Sequence, residues 1–394
     1  MIFSNAGEVF PGATSPLTLS TVIRLLNNAI EVSAMNKPAN PYYENCICSI
    51  RFRCCINYIN TMLRDVESKI NLGNKVIDIA VCGHIVTTPE LHAAAVRRNG
   101  LMQVKSKLRL FKNMIKDTWD NESVVQQAKE LYKNFKLDAP GFVRAEHLYR
   151  RIDESLHTLF QMSIYHSHTS RVSVFCQVFA MSVLTEGGEN FTTEHYSDVA
   201  LLLSSCSDVV SAQVPTALRE LAQVIKHSGK VEEFTKLDPK EAGDWLKVNC
   251  TSAAFMFDNF LKQHGNRCIR ELDLMTETWE MRPEKLLATL QVTVGSSEKA
   301  PTTEELTVSE TVDRLRTPKK SATRWILKKL VPLSRSAVNR REMTKSILVS
   351  IINSLRLGYR RLGKLMVEEG RLPDLNLVFF LTHQELGLLL LRQD

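Results

Sequence analysis

Glycine and proline are scarce in this sequence of 394 residues, which contains only 16 glycines and 13 prolines. These counts are about 4% and 3% of the chain, against about 7% and 5% in average proteins. Because both residues mark turns, their scarcity argues against a many-turned β architecture and favours long helices. The shortage of glycine also argues against a phosphate-binding loop, and neither G-x-x-x-x-G-K-[ST] nor G-x-G-x-x-G occurs.

Long apolar runs and a secretory signal are also missing. No stretch reaches the ~18 consecutive apolar residues of a membrane-spanning helix. The residues after Met1 lack the basic and apolar regions of a signal peptide. The cysteines number nine, and an odd count favours free thiols in a reducing compartment. We therefore expect a cytoplasmic protein that has no membrane partner.

Two groups of side chains superficially suggest a metal site. Cys46 and Cys48 lie near the adjacent Cys54 and Cys55, but zinc sites use C-x₂₋₄-C pairs, and adjacent cysteines are poor joint ligands. The H-S-H sequence at residues 166–168 falls within a predicted helix, where the two imidazole rings point about 200° apart. We expect no metal site, and we interpret the cysteines as small buried side chains.

Apolar residues recur at helical spacing through most of the chain, and this periodicity predicts an all-α fold, a multi-helix bundle. One long helix follows residues 140–141 and runs towards Leu184, and another covers about residues 340–369. Residues 295–320 are polar and poor in core side chains, which indicates a mobile loop or disordered insertion. We expect residues 1–394 to form a single helical domain that contains this insertion.

Local signals predict several boundaries. Ser15, which precedes a proline, is a candidate helix N-cap. The pattern over residues 89–119 is helical, and Asn121 is a candidate N-cap of a separate helix. Residues 377–381 are strand-like, whereas residues 42–60 fit a strand or a buried helix equally well.

The sharpest polar cluster is H-G-N-R-C-I-R-E-L-D at residues 264–273, just past a predicted helix C-terminus. Arg267 could present its guanidinium fork to a carboxylate or phosphate, and His264 could donate to the same ligand or move a proton for it. The alternative is a helix C-cap, in which Gly265 is left-handed and Arg267 forms an ordinary ion pair with Glu271. Spacing alone favours the cap.

Three segments share a wider pattern. The opening segment, within residues 5–18, reads N-A-G-E-V-F-P-G and then S-P-L-T. The middle segment, within residues 264–283, reads H-G-N-R and is followed by E, D-L, W and P. The closing segment, within residues 370–382, reads G-R-L-P-D and then V-F-F-L-T. In order and separation they resemble the middle domain of the phosphoenolpyruvate synthase/rifampicin phosphotransferase family. A weaker similarity covers residues 204–215.

The resemblance implies the helical acceptor-binding domain of an ATP-dependent phosphotransferase, a dikinase. In that family an ATP-grasp domain transfers phosphate from ATP, with Mg²⁺, to a histidine on a swivelling domain, which carries it to an acceptor held by the middle domain. The resemblance further implies that His264, Arg267 and Glu271 line the pocket for a small-molecule acceptor. It implies no catalytic residue and no bound cofactor in this chain.

Departures from the family pattern bear on activity. The sequence contains no Gly-Thr-His segment resembling the phosphohistidine motif, and Asn266 and Cys268 stand where family members often have His and Gly. We therefore expect a fragment or isoform that is inactive alone and needs the ATP-grasp and phosphohistidine domains as partners, or a degenerate relative kept for binding.

A different function rests on the basic segment from Arg314 to Lys345, which contains eleven Lys or Arg residues and one acidic residue. Such a segment could make the chain a non-catalytic helical interaction protein that docks an acidic partner or nucleic acid. Nucleic acid is the less expected partner, because Trp325 is the one aromatic residue of the segment and a single ring offers little surface for bases to stack on. An enzyme complete in itself would need a nucleotide site, and the sequence shows none.

Overall fold

The fold is known from a computed structural model, which describes most of the chain. The described residues are 3–5, 12–34, 47–50, 53–57, 88, 90, 104–186, 191–204, 210–296 and 306–391. Apart from residue 90, the predicted helix over residues 89–119 lies outside them up to residue 103.

Helices make up most of the described chain, so the predicted all-α class is confirmed. A π-helical turn, Leu19–Ile23, joins the first two helices, and short 3₁₀ turns cover Ala139–Gly141 and Leu375–Phe380. The described α-helices are α1 (Pro16–Thr18), α2 (Arg24–Ala34), α3 (Val104–Asn134), α4 (Ala145–Leu184), α5 (Thr193–Ser204), α6 (Val210–His227), α7 (Val231–Lys236), α8 (Pro239–Asn249), α9 (Thr251–His264), α10 (Pro283–Gly295), α11 (Val308–Asp313), α12 (Ser321–Glu368) and α13 (His383–Leu391).

A small antiparallel sheet accompanies the helices near the N-terminus. Its strands are β1 (Phe3–Asn5), β2 (Ile47–Ile50) and β3 (Arg53–Asn57), and β3 lies in the middle. The register sets Cys48 opposite Cys55. The described part of the ambiguous 42–60 segment is therefore strand.

The main core lies between α4 and α12, the two longest described helices. Both bury a stripe of leucine and isoleucine at helical spacing, and each such side chain contributes about 1.5–3 kcal/mol. Gly363 of α12 allows the Leu375–Phe380 turn to approach, because a Cβ there would lie 2.5 Å from the Leu375 carbonyl oxygen. The stripes consist of Leu148, Ile152 and Leu159 on α4 and Ile351, Leu355 and Leu362 on α12.

Two smaller clusters flank the main core. Helices α6 to α10 enclose one around Phe234, Leu246 and Leu290. The other joins the C-terminal end of α4 to α5, α11 and the N-terminal part of α12, around Leu184 and Leu327. At 1.5 Å per residue α12 spans about 72 Å, so one helix reaches both the main core and this last cluster.

Several predicted boundaries were wrong. Asn121 caps no helix but is buried inside the continuous α3. Residues 377–381 belong mostly to the 3₁₀ turn rather than to a strand. The N-cap at Ser15 is confirmed, since its side chain accepts from the backbone N–H of Thr18 at 3.3 Å. The long helix predicted over residues 340–369 begins much earlier, at Ser321.

The structure describes part of the predicted polar insertion, residues 295–320. Residues 297–305 lie outside the described residues. Beyond them Val308–Asp313 forms α11, whose capping box pairs Thr307 with Glu310, and Leu315 is buried. The described C-terminal half of the predicted insertion therefore contains a short helix and a buried leucine. Among the described residues, no helix combines the length and hydropathy needed to cross a bilayer.

Candidate functional site

The predicted site lies on a non-helical loop, residues 265–282, that connects α9 to α10. Two backbone hydrogen bonds close the loop on itself, from Trp279 N to Arg267 O at 3.0 Å and from Glu280 N to Gly265 O at 2.9 Å. Gly265 keeps a right-handed helical conformation with φ −61°, so the predicted left-handed cap is wrong. The helix ends by folding into a compact loop instead.

Arg267 and Glu271 face each other inside this loop. The Arg267 Nη1 and Glu271 Oε1 atoms lie 3.1 Å apart, and the two side chains are only 11% and 19% exposed. His264 is buried beside the Phe260 ring, whose centroid lies 5.1 Å from that of the imidazole. Burial lowers the pKa of His264, and the Arg267 charge lowers it further. The three predicted residues therefore lie close together, His264 as the last residue of α9 and the other two in the loop that follows, and the neutral form of the His264 imidazole is favoured.

The opening segment of the chain binds the same loop. The buried carboxylate of Asp273, 3% exposed, accepts hydrogen bonds from Ser15 Oγ at 3.1 Å and Thr18 Oγ1 at 2.8 Å. Glycine at position 12 also allows the two segments to approach, because a Cβ there would overlap the Arg270 guanidinium. Residues 12–18 and 264–273 thus form one polar junction.

Helix α12 supplies a buried arginine that sequence analysis missed. Arg356 Nη2 donates to the carbonyl oxygens of Glu271 at 2.6 Å and Asp273 at 3.3 Å, and its Nη1 donates to Asn353 Oδ1 at 2.9 Å. Burial lowers the pKa of this guanidinium. The signal in the sequence was a charged residue at position 356, between Leu355 and Tyr359 on the apolar stripe of α12.

The closing segment joins the junction from the other side. Arg360 donates to the Met275 carbonyl oxygen at 2.7 Å and lies 5.1 Å above the Phe379 ring centroid. His383 N donates to Ser20 Oγ at 3.0 Å. The opening and middle segments therefore share one polar network, and the closing segment meets them through apolar packing, since Leu17, Leu274 and Phe379 belong to one cluster.

His383, which the sequence analysis did not single out, links three helices. Its Nε2 lies 2.9 Å from Asp153 Oδ1 on α4, and its Nδ1 lies 2.9 Å from the Tyr359 hydroxyl on α12. The ring also stacks on Tyr149, with centroids 4.6 Å apart. Burial lowers the pKa of His383, while its contact with Asp153 opposes that shift. The arrangement docks α13 onto the core.

His264, Arg267 and Glu271 line neither of two cavities found in the described part of the chain. A groove of about 410 Å³ lies among α8, α9 and the start of α10, and its lining includes Leu261 and Arg282 from the two flanks of the loop. An apolar cavity of about 40 Å³ lies between α4, α5 and α12. The larger groove therefore borders the predicted site without containing it.

The remaining candidates have structural partners. His166 Nδ1 lies 3.1 Å from Thr344 Oγ1 on α12, whereas His168 Nε2 lies 3.3 Å from the Asp117 carbonyl oxygen on α3. The two histidines thus contact different helices. Cys54 is buried, with Sγ 3.5 Å from Thr14 Oγ1. Within the described ranges no group of three His, Cys, Asp or Glu side chains could hold a metal ion.

Several side chains of the basic segment stabilise the fold itself. Arg324 donates to the carbonyl oxygens of Val312 at 2.7 Å and Leu315 at 2.8 Å. Lys328 pairs with Asp313 at 3.0 Å, and Arg340 pairs with Glu122 at 2.9 Å. Much of the segment belongs to α12 rather than to a solvated loop.

The comparison with protein families agrees with the observed helices. Residues 166–342 match the family model of the rifampicin phosphotransferase fourth domain. The match includes the 264–283 segment but not the opening and closing segments. It assigns this part of the chain to a helical domain of the phosphoenolpyruvate synthase/rifampicin phosphotransferase family, and the resemblance seen in the sequence is confirmed there. No curated protein matches the chain significantly.

Proposed function

We propose that this chain supplies the acceptor-binding helical domain of a phosphoenolpyruvate synthase-like, ATP-dependent phosphotransferase. The observation that carries the proposal is the family match over residues 166–342, which contains the loop with His264, Arg267 and Glu271. The contact of the opening segment with Asp273, and the apolar cluster that joins Leu17, Leu274 and Phe379, support it independently, because the match does not extend to the outer two segments.

In this proposal the loop residues have distinct roles. Arg267 binds an anionic or polar group of the acceptor, Glu271 orients that guanidinium, and neutral His264 donates or accepts one hydrogen bond. Arg356 and Asp273 hold the loop backbone in place. The adjoining groove, with Phe257, Leu261 and Arg282 in its lining, offers both apolar and charged contacts for the rest of the acceptor.

The phosphate donor belongs to other polypeptide in this proposal. An ATP-grasp domain that binds ATP and Mg²⁺ and a phosphohistidine domain act on a longer chain or in trans, in the cytoplasm. The present chain has no glycine-rich nucleotide loop, so no step of the phosphoryl transfer is assigned to it. Its contribution is to position the acceptor, since phosphoryl transfer depends chiefly on positioning and charge stabilisation. Alone it is inactive.

The experiment measures acceptor binding by titration calorimetry with two separate probes, rifampicin as a large apolar molecule and pyruvate as a small anion. We expect one probe to bind the full chain, and Arg267→Ala to weaken binding at least about tenfold, or about 1.4 kcal/mol. Arg267→Lys keeps the positive charge but loses the planar guanidinium, so it should also weaken probe binding.

A control variant separates binding from folding. Arg150→Ala removes an exposed ion pair with Glu146 and should leave both binding and the melting temperature unchanged. Binding by neither probe, or equal binding by wild type and Arg267→Ala, would contradict the proposal. If Arg267→Lys lost folding and binding to the same extent, the result would favour a purely structural role for the Arg267–Glu271 ion pair.

The alternative function, docking of an acidic partner or nucleic acid through residues 314–345, gains no support from these contacts. Arg324, Lys328 and Arg340 already bind groups within the chain. It stays a prediction, and binding that falls steeply with salt would revive it.

A further inference from the structure

The loop between α11 and α12 contains a sequence that the proposed function does not use. Residues 314–320 read R-L-R-T-P-K-K, so Thr317 precedes a proline and has basic residues on both sides. Arg316, Lys319 and Lys320 are exposed, Thr317 is half-buried and Pro318 is buried, so a kinase reaches the motif only when the loop opens. A threonine followed by proline and then by lysine is the type of sequence that proline-directed protein kinases accept.

Thr317 is held by a buried carboxylate from another helix. Asp198 of α5 is only 2% exposed. One of its oxygens, Oδ2, accepts from Thr317 N at 2.8 Å and from Thr317 Oγ1 at 2.5 Å. Both oxygens accept from Arg316 N at 3.0 Å. The hydroxyl of Thr317 is thus a donor in the contact that joins this loop to α5.

A second carboxylate fixes the other end of the loop. Glu186, just past α4, accepts from Lys320 N at 3.0 Å and has a positive φ of 50°. Immediately before the first anchor, Leu315 packs into the cluster that contains Val199 and Leu202 of α5. The position of α5 is therefore coupled to the state of Thr317.

We infer that Thr317 is a phosphorylation site for a proline-directed protein kinase, and that its phosphate releases the 314–320 loop from α5. In the reaction Thr317 Oγ1 bonds to the γ-phosphorus of kinase-bound ATP. The bond from that phosphorus to ADP breaks, and the hydroxyl proton passes to the base of the kinase.

The consequence follows from charge. Phosphothreonine carries about −1.5 to −2 charges at neutral pH, and the modified oxygen no longer donates to Asp198. A phosphate within hydrogen-bond distance of a buried carboxylate is strongly repelled, since neither charge is solvated there. The phosphate instead favours the exposed Arg316, Lys319 and Lys320, which gives the loop a second, open arrangement.

The test incubates the full chain with ATP and a purified cyclin-dependent kinase, and maps phosphate by mass spectrometry. We expect phosphate on Thr317 and at least tenfold faster hydrogen exchange in α5 afterwards. Pro318→Ala keeps the hydrogen bond to Asp198 but should lose phosphorylation of Thr317 at least tenfold. Thr317→Val cannot be modified, and it keeps the two backbone contacts with Asp198, so α5 should exchange as in the unmodified wild type.

A further variant measures the contact itself. Asp198→Asn weakens the hydrogen bonds that join the 314–320 loop to α5, and we expect Thr317 to be phosphorylated several times faster. Absence of phosphate on Thr317 in the wild type, even if Asp198→Asn is modified, overturns the proposal. Phosphorylation with no change in the exchange of α5 also overturns it, because the modification would then leave the contact intact.

Discussion

At the scale of single residues, buried carboxylates connect parts of this chain that are far apart in sequence. Asp273 accepts hydrogen bonds from Ser15 and Thr18, and Asp198 accepts from Arg316 and Thr317. Hydrogen bonds to an ionised group are roughly twice as strong as neutral ones. Each carboxylate therefore fixes a loop that also packs a buried leucine, Leu274 or Leu315, against the helices.

His166 gives the fold a dependence on pH that can be measured. Burial against α12 and the nearby charges of Arg341 and Lys345 lower its pKa to about 4. Unfolded histidine titrates near 6.5, so the unfolded chain binds the proton first as pH falls. The contribution of the neutral imidazole is complete above pH 6.5 and is lost between pH 6.5 and 4.

We expect the free energy of unfolding to fall by about 1 kcal/mol between pH 7 and pH 5 through His166, because the ring is only partly shielded from solvent. His166→Gln should remove this part of the pH slope in urea titrations. Met162→Leu, a swap of similar volume in the same helix, should keep it. An unchanged slope in His166→Gln would refute the assignment.

At the scale of secondary structure, α3 contains a polar residue where an apolar one would fit better. Asn121 is completely buried, and neither its side-chain oxygen nor its nitrogen has a hydrogen-bond partner among the described residues. Burying an unpaired amide costs about 1–3 kcal/mol. Asn is also a poorer helix former than Leu.

Asn121→Leu should therefore raise the free energy of unfolding by about 1 kcal/mol, measured by urea denaturation. Gln127→Leu is the matched control, since Gln127 is exposed on the same helix. Glutamine and leucine also have similar helix propensity. It should change stability by less than about 0.5 kcal/mol. Destabilisation by Asn121→Leu would show that the amide is satisfied by an ordered water.

The long helices show which helix boundaries could be predicted from the sequence. The helix α4 follows a Pro-Gly turn and has uninterrupted apolar spacing, so both ends of Ala145–Leu184 were foreseeable. Asn121 was misleading, because its residue type favours caps while packing against α4 and α12 made it interior. The start of α12 was hidden by its basic residues, whose partners, such as Asp313 for Lys328, cannot be read from a periodic pattern.

The candidate site was predictable to a similar degree. Sequence located His264, Arg267 and Glu271 on one loop after a helix, and their closeness follows from spacing alone. It could not foresee that Arg356 of α12 binds the carbonyl oxygen of Glu271. That contact joins residues 85 positions apart and depends on tertiary packing.

At the scale of the whole molecule, the N-terminal helix, the 265–282 loop and the C-terminal segment act as one unit around Asp273. Thr18 illustrates the coupling, since its hydroxyl donates to Asp273 Oδ1 and accepts from Leu274 N at 2.9 Å. Leu17, Leu274 and Phe379 also belong to one apolar cluster. Changes in one segment should therefore affect the others more than a sum of local effects.

A double-mutant cycle tests this unit. Thr18→Val and Asp273→Ala should each destabilise the chain, and the double variant should lose about 1–2 kcal/mol less than the sum, because the two side chains share one hydrogen bond. Urea titrations of the four proteins give the coupling energy. Thr18→Val combined with Asp198→Asn, which share no partner, should be additive within about 0.5 kcal/mol. Additivity in the Thr18–Asp273 pair would mean that the opening segment folds independently of the candidate site.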